Sequence, residues 1–103
     1  MHFGGLMESM NKWKELGNYI RAVRKDKGIS TYFIEKEFGF SRQYWSRIEL
    51  ASSEYALKPE LLQRIATILK INYLDLYVIV GYADETAINE FSERKKQERN
   101  INL

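Results

Sequence analysis

Three side chains rich in hydrogen-bond donors lie close together near the middle of the chain. Arg42, Gln43 and Arg47 belong to a short segment in which Trp45 and Ile48 have the spacing of residues on one side of a helix. If Trp45 and Ile48 face inward, the two arginines and the glutamine face outward. A short exposed helix with these side chains is chemically suited to the edges of DNA bases.

The residues just before this segment have the signals of a turn between two helices. Gly39 permits a sharp change of direction, Phe40 can fill the corner, and Ser41 can cap the helix that follows. These signals predict one helix over Thr31–Phe38 and a second over Arg42–Leu50. In the first of them, Ile34 and Phe38 are four residues apart and are expected to share one helical face.

Apolar spacing predicts a longer helix at the start of the chain. Its inward residues recur at intervals of three and four and are Trp13, Leu16, Ile20 and Val23. Gly17 costs this helix about 1 kcal/mol, so we expect the ordered part to begin near Leu16 and to end near Lys27. Residues 1–9, which include the single histidine, are expected to be unstructured.

Three further helices are predicted after residue 50. Pro59 suits the first turn of a fourth helix, because its missing N–H has no partner to lose there. Asn72 can cap a fifth helix that Gly81 ends. A last helix is expected over about residues 86–99. Strands find little support, so the predicted fold class is all-α.

Composition limits the functions that this chain can have. The 103 residues carry a net charge of +2 and no cysteine, which leaves no disulfide or thiolate metal site. The first 50 residues hold nine basic and six acidic side chains, a net of +3 that is compatible with phosphate contact. No phosphate-binding glycine loop or catalytic cluster is apparent, and the longest apolar stretch is too short to cross a bilayer. We therefore expect a cytoplasmic protein that is not an enzyme and has no cofactor or metal.

Several of these motifs together resemble the phage-repressor (Cro/XRE-like) helix-turn-helix family of transcriptional regulators over residues 16–76. The family implies a compact five-helix repressor-like domain, here residues 1–83, whose third helix lies in the DNA major groove. Residues 84–103 would be a C-terminal helical extension. The residues that carry the resemblance are Leu16-Gly17 with Ile20 and Arg24, Lys27-Gly28-Ile29-Ser30, Gly39-Phe40-Ser41, Ser46-Arg47-Ile48-Glu49, and Ile65-Ala66 with Leu69 before Ile71.

The resemblance implies roles for individual side chains. Arginine presents donors to guanine O6 and N7, and glutamine pairs with adenine N6 and N7. Arg24 and Glu49 match a pair that bridges the first helix to the end of the third. Lys58 would be either a phosphate contact or a solvated lysine. The positions that match base-reading residues are Arg42, Gln43 and Arg47, and those that match phosphate anchors are Thr31, Ser41 and Tyr44.

The chain departs from the family pattern at three positions. Thr31 replaces a usual glutamine and shortens one contact. Glu35 replaces a small residue, so we expect its carboxylate to tilt outward or to pair with Arg42 or Arg47, which would impair the predicted base contacts. Ala51 replaces a glycine, and because a left-handed alanine costs about 1 kcal/mol, the third helix is expected to continue to residue 52 or 53.

The residues after the five-helix core offer more apolar surface than a small monomer needs to hide. We therefore expect a homodimer that binds a palindromic double-stranded operator as a repressor. The alternative is that this segment packs back on the first and fourth helices. A second function also stays open, a protein-interaction module such as a toxin-binding antitoxin or a regulator antagonist. The expected dimer contacts are Leu76, Tyr77, Ile79, Val80, Tyr82, Ile88 and Phe91.

Overall fold

The computed structural model describes the backbone of residues 4–52 and 56–101, and the side chains of residues 12–52 and 56–98. Within these ranges every regular element is a helix, which confirms the predicted all-α class. None of the described helices is long and apolar enough to cross a membrane. The elements are α1 (Gly4–Asp26), α2 (Thr31–Phe38), α3 (Arg42–Leu50), α4 (Pro59–Leu69), α5 (Tyr73–Val80) and α6 (Glu85–Ile101).

The caps of α2 and α3 confirm the predicted start of both helices. The Ser30 hydroxyl accepts a hydrogen bond from the backbone N–H of Phe33 at 3.0 Å. The Ser41 hydroxyl accepts one from Tyr44 N–H at 3.1 Å, which starts α3 immediately after the turn. Gly39 ends α2 at φ 80°, a left-handed conformation that glycine adopts without a steric cost.

Helix α1 passes through Gly17 without interruption, so the predicted start near Leu16 is wrong. The helix begins at Gly4, within the segment expected to be unstructured, and residues 1–3 lie outside the described residues. Gly17 is needed for packing: a Cβ at this position would overlap the backbone oxygen of Glu49 and lie 2.9 Å from that of Ile48. The close approach of α1 to the end of α3 explains a glycine in mid-helix.

Helix α3 ends at Leu50, so the expected continuation to residue 52 or 53 is also wrong. Ala51 takes the left-handed conformation, with φ 53° and ψ 38°. Its N–H bonds to the Ile48 carbonyl at 3.2 Å, and Ser52 N–H bonds to the Arg47 carbonyl at 3.0 Å. These two bonds satisfy the last carbonyls of the helix and offset the strain on alanine.

The core lies between α1, α3, α4 and α5. Trp45 is fully buried at its centre, and Ile48 is also buried, as predicted. Ile34 of α2 is buried, whereas 38% of Phe38 is exposed and its ring packs edge-on against Phe33. The buried apolar residues are Leu16, Ile20, Ile34, Phe40, Trp45, Ile48, Leu62, Ile65, Ala66, Ile68, Leu69, Leu76 and Val80.

The later helices begin close to where their signals predict. Pro59 is the first residue of α4, and the Asn72 side chain accepts a hydrogen bond from Leu74 N–H at 2.9 Å to cap α5. Gly81 ends α5 at φ 82°. Helix α6 begins at Glu85, one residue before the predicted start, after Asp84 accepts a bond from Ala87 N–H at 3.1 Å.

Candidate functional site

A buried ion pair attaches the end of α3 to α1. Arg24 Nε lies 2.6 Å from Glu49 Oε2, and Arg24 Nη2 donates to Glu49 Oε1 at 3.1 Å. The third guanidinium nitrogen donates to the Ile29 carbonyl at 3.1 Å. Trp45 Nε1 donates to Glu49 Oε2 at 2.6 Å, so both carboxylate oxygens are hydrogen-bonded. The predicted Arg24–Glu49 pair is confirmed, and it sets the rotation of α3 about its axis.

Phe40 fills the corner between α2 and α3, as predicted. Its ring stacks on Tyr44 with 5.9 Å between ring centres and meets Trp45 edge-on at 5.8 Å. The Arg64 guanidinium of α4 lies 4.6 Å from the centre of the same ring. The corner is therefore held by contacts of Phe40 to α3 and to α4.

With Trp45, Ile48 and Glu49 buried, α3 presents its polar side chains to solvent. Arg42, Gln43 and Arg47 are all exposed. Together with Ser46 and Glu35 they line one shallow depression on this surface. The outward orientation predicted for these three side chains is observed.

Glu35 of α2 pairs with Arg42, which decides between the two arginines left open above. Its Oε1 lies 3.2 Å from Arg42 Nε, and its Oε2 accepts a hydrogen bond from the Arg42 backbone N–H at 3.3 Å. The pair is exposed, with 60% of the Arg42 side chain and 39% of the Glu35 side chain accessible. The Arg42 guanidinium also lies 5.9 Å from the Tyr32 ring centre. The first N–H of α3 therefore already has an anionic partner.

The predicted phosphate anchors do not form one cluster. The Ser41 hydroxyl is half-buried and serves as the helix cap, and Tyr44 is 41% exposed with its ring on Phe40. Thr31 lies at the start of α2 and shares a second depression with Arg42 and Arg21. Lys58 is exposed and immediately precedes α4, but it lines neither depression to which Arg42 contributes.

Arg21 is a cationic side chain at this surface that the motif does not indicate. It is exposed on α1 and lies three residues before Arg24. Residues three apart are neighbours on a helix, so the prediction that Arg24 faces α3 could have placed Arg21 beside it. The depression thus combines side chains from α1, α2 and α3.

The predicted dimer contacts separate into two groups. Leu76 and Val80 are wrong as contacts, because both are buried in the core of this chain. Tyr77 is half-buried: its hydroxyl donates to the Pro59 carbonyl at 3.2 Å and accepts from Gln63 Nε2 at 2.8 Å. Leu76, Tyr77 and Val80 therefore pack on α4 or in the core of this chain. This agrees with the alternative expectation, in which the segment packs back on the first and fourth helices.

The remaining predicted contacts keep accessible surface. Tyr82 is 39% exposed, although its hydroxyl donates to the Leu57 carbonyl at 2.7 Å. Ile79 and Ile88 are half-buried and line a groove between α1, α5 and α6. Phe91 on α6 is 53% exposed, the largest fraction in the set.

The described side chains contain no cluster of three or more residues that could hold a metal ion. Comparison of the chain with models of known protein families, with curated proteins and with solved structures finds no match.

Proposed function

We propose that this chain is a sequence-specific DNA-binding regulator in which α2 and α3 form a helix-turn-helix and α3 enters the major groove. The observation that carries the proposal is the exposed row of Arg42, Gln43 and Arg47 on a helix whose opposite face is buried. In this reading residues 1–83 form a repressor-like domain and residues 84–103 extend it. The protein would act in the cytoplasm on double-stranded DNA.

The chemistry of this surface fits base edges better than phosphate alone. Arginine and glutamine both carry paired hydrogen-bonding groups, which match the major-groove edges of guanine and adenine. Trp45 and Glu49 restrict the rotation of α3, so the outward side chains start from defined positions. Arg21 and Thr31 border the same surface, where they can contact the sugar-phosphate backbone.

A single helix of this kind contacts few base pairs, so we propose that the protein binds a palindrome as a homodimer. Ile79, Ile88 and Phe91 are the apolar residues that support an interface near α6, and Tyr82 also keeps accessible surface. A bound dimer would act as a repressor by covering a promoter element. This mechanism uses binding alone and needs no catalysis, cofactor or metal.

A salt titration of DNA binding tests the proposal. The logarithm of the affinity should fall linearly with the logarithm of salt concentration, because phosphate contact releases counterions. Arg47→Ala should weaken binding to the preferred duplex by about 1–3 kcal/mol, whereas Arg94→Ala on α6 should change it by less than about 0.5 kcal/mol. If both variants lost the same binding free energy, binding would depend on the overall charge of the protein and not on α3.

Exposed aromatic rings on α2 favour a second candidate, a protein-interaction module such as an antitoxin or a regulator antagonist. Tyr32 is 59% exposed and Phe33 is 47% exposed, and Phe38 packs beside Phe33. Such rings are enriched where proteins bind each other. A stoichiometric partner that co-purifies with the wild-type chain and is lost in Phe33→Ser, with no DNA binding at low salt, would favour this function.

A further inference from the structure

We propose that Glu35 determines the DNA selectivity of α3: it orients the Arg42 fork toward a base and its charge disfavours contact with phosphate. This inference rests on the proposed DNA-binding function. It concerns a residue on α2, outside the helix whose side chains would touch the bases.

The two contacts of the Glu35 carboxylate define how Arg42 is held. One oxygen approaches Nε, the nitrogen nearest the aliphatic stem, at 3.2 Å. The other accepts the backbone N–H of the same residue at 3.3 Å. With Nε at the carboxylate, the two terminal nitrogens would be free to face a base, so in this proposal the pairing supports the contact that the sequence alone suggests it would impair. Those two nitrogens are the donors needed for guanine O6 and N7.

The same carboxylate opposes binding to arbitrary DNA. A helix N-terminus ordinarily attracts phosphate through its free N–H groups and its positive dipole end. At α3 the first N–H already bonds to Glu35, and the third bonds to the Ser41 hydroxyl. A phosphate at the start of α3 would find this N–H donor already bonded and would be repelled by the negative charge of Glu35.

Selectivity follows because the two effects act on different complexes. On unmatched DNA, a phosphate that contacts Arg42 lies beside the Glu35 carboxylate and is repelled by its charge. On a matched site, the terminal nitrogens can bond to guanine while Nε stays with Glu35. The ion pair thus weakens non-specific binding more than specific binding.

The experiment compares wild type with Glu35→Gln on two duplexes, the sequence selected by the wild-type chain and a scrambled version. We expect Glu35→Gln to bind the scrambled duplex about 8-fold more tightly at 0.1 M salt, with a salt slope steeper by about 0.9, as for one additional phosphate contact. Binding to the selected duplex should change by less than about 2-fold, so selectivity should fall by about 4-fold or more. The base preference should relax at one position of each half-site.

Two controls separate this effect from a general change of charge or of fold. Glu37→Gln removes the same charge from α2. Residues two apart lie about 200° apart around a helix, so Glu37 faces away from Arg42. The affinity of Glu37→Gln for the scrambled duplex should therefore rise by less than about 2-fold. In the Arg42→Gln background, Glu35→Gln should no longer relax the base preference, because that effect acts through the Arg42 side chain. Circular dichroism and thermal unfolding of each variant check the fold.

The outcomes distinguish this inference from the function on which it rests. If the wild-type chain selects no sequence, the DNA-binding proposal fails. If it selects a sequence but Glu35→Gln keeps wild-type selectivity and salt slope, only the role of Glu35 is overturned. An equal gain for Glu35→Gln and Glu37→Gln, or a relaxed base preference for Glu35→Gln in the Arg42→Gln background, would overturn it as well.

Discussion

Glu49 accepts three hydrogen bonds at the point where α1 and α3 meet. Two come from the Arg24 guanidinium and one from the Trp45 indole. Glu49 is only 7% exposed, so its charge depends on these donors in place of water. Through them one carboxylate links the buried face of α3 to α1, which is why the opposite face can carry charged side chains outward.

Removing Arg24 should therefore leave a buried charge without its main partner. We expect Arg24→Ala to lower the free energy of unfolding by about 3–5 kcal/mol, as for other broken buried pairs. Urea denaturation measures this loss. Arg21→Ala, at an exposed position one turn away, should change stability by less than about 0.5 kcal/mol. A loss below about 1 kcal/mol for Arg24→Ala would show that the pair does not hold α3.

At the scale of elements, the structure depends on how closely α1 can approach α3. Gly17 is the residue that permits this approach, since its missing side chain leaves room for the backbone of Ile48 and Glu49. The helix gives up about 1 kcal/mol of intrinsic propensity at this glycine relative to alanine. The free energy gained by packing α1 against α3 therefore outweighs the helix propensity that α1 loses at Gly17.

Gly17→Ala should consequently destabilise the protein even though alanine is the better helix former. Overpacking against a rigid backbone typically costs about 1–3 kcal/mol, and thermal or urea unfolding would report the loss. Asn18→Ala is the matched control, because Asn18 is exposed on the same helix and gains propensity without a clash. A stabilising effect of Gly17→Ala would mean that α1 and α3 do not meet as described.

Local signals were sufficient to predict α2, α3, α4 and α5. Ser30, Ser41 and Asn72 cap helices through bonds to N–H groups two or three residues away, so the information lies within a few positions. Gly17 was misinterpreted because the backbone it contacts belongs to a distant segment. The identity of the Glu35 partner was open for the same reason, since it depends on how α2 and α3 cross.

A count of apolar residues in the sequence does not distinguish dimer contacts from core residues. Leu76 and Val80 belong to an apolar segment that looked excessive for a small chain, yet both complete its core. Sequence spacing does not tell which face of α5 meets α1 and α4. At the scale of the whole molecule, the proposed self-association therefore depends on the accessible residues nearer α6.

Phe91 is the most exposed of these residues and gives the clearest test of self-association. We expect Phe91→Glu to shift a dimer toward monomer, because a charge in an apolar interface is left desolvated. Sedimentation at several protein concentrations measures the shift. Gln97→Glu adds the same charge at an exposed position of α6 and should leave the dimer intact. A wild-type chain that stays monomeric throughout would contradict the dimer proposal.

The outward face of α3 is the centre of the account, and selection of bound sequences from random duplex DNA tests it most directly. The full chain should enrich a palindrome whose two half-sites are about one helical turn, or a multiple of it, apart. Arg47→Ala should relax the preference at a single position of each half-site and leave the others unchanged. Recovery of unenriched sequences by the wild-type chain, or the same motif from Arg47→Ala, would contradict the account.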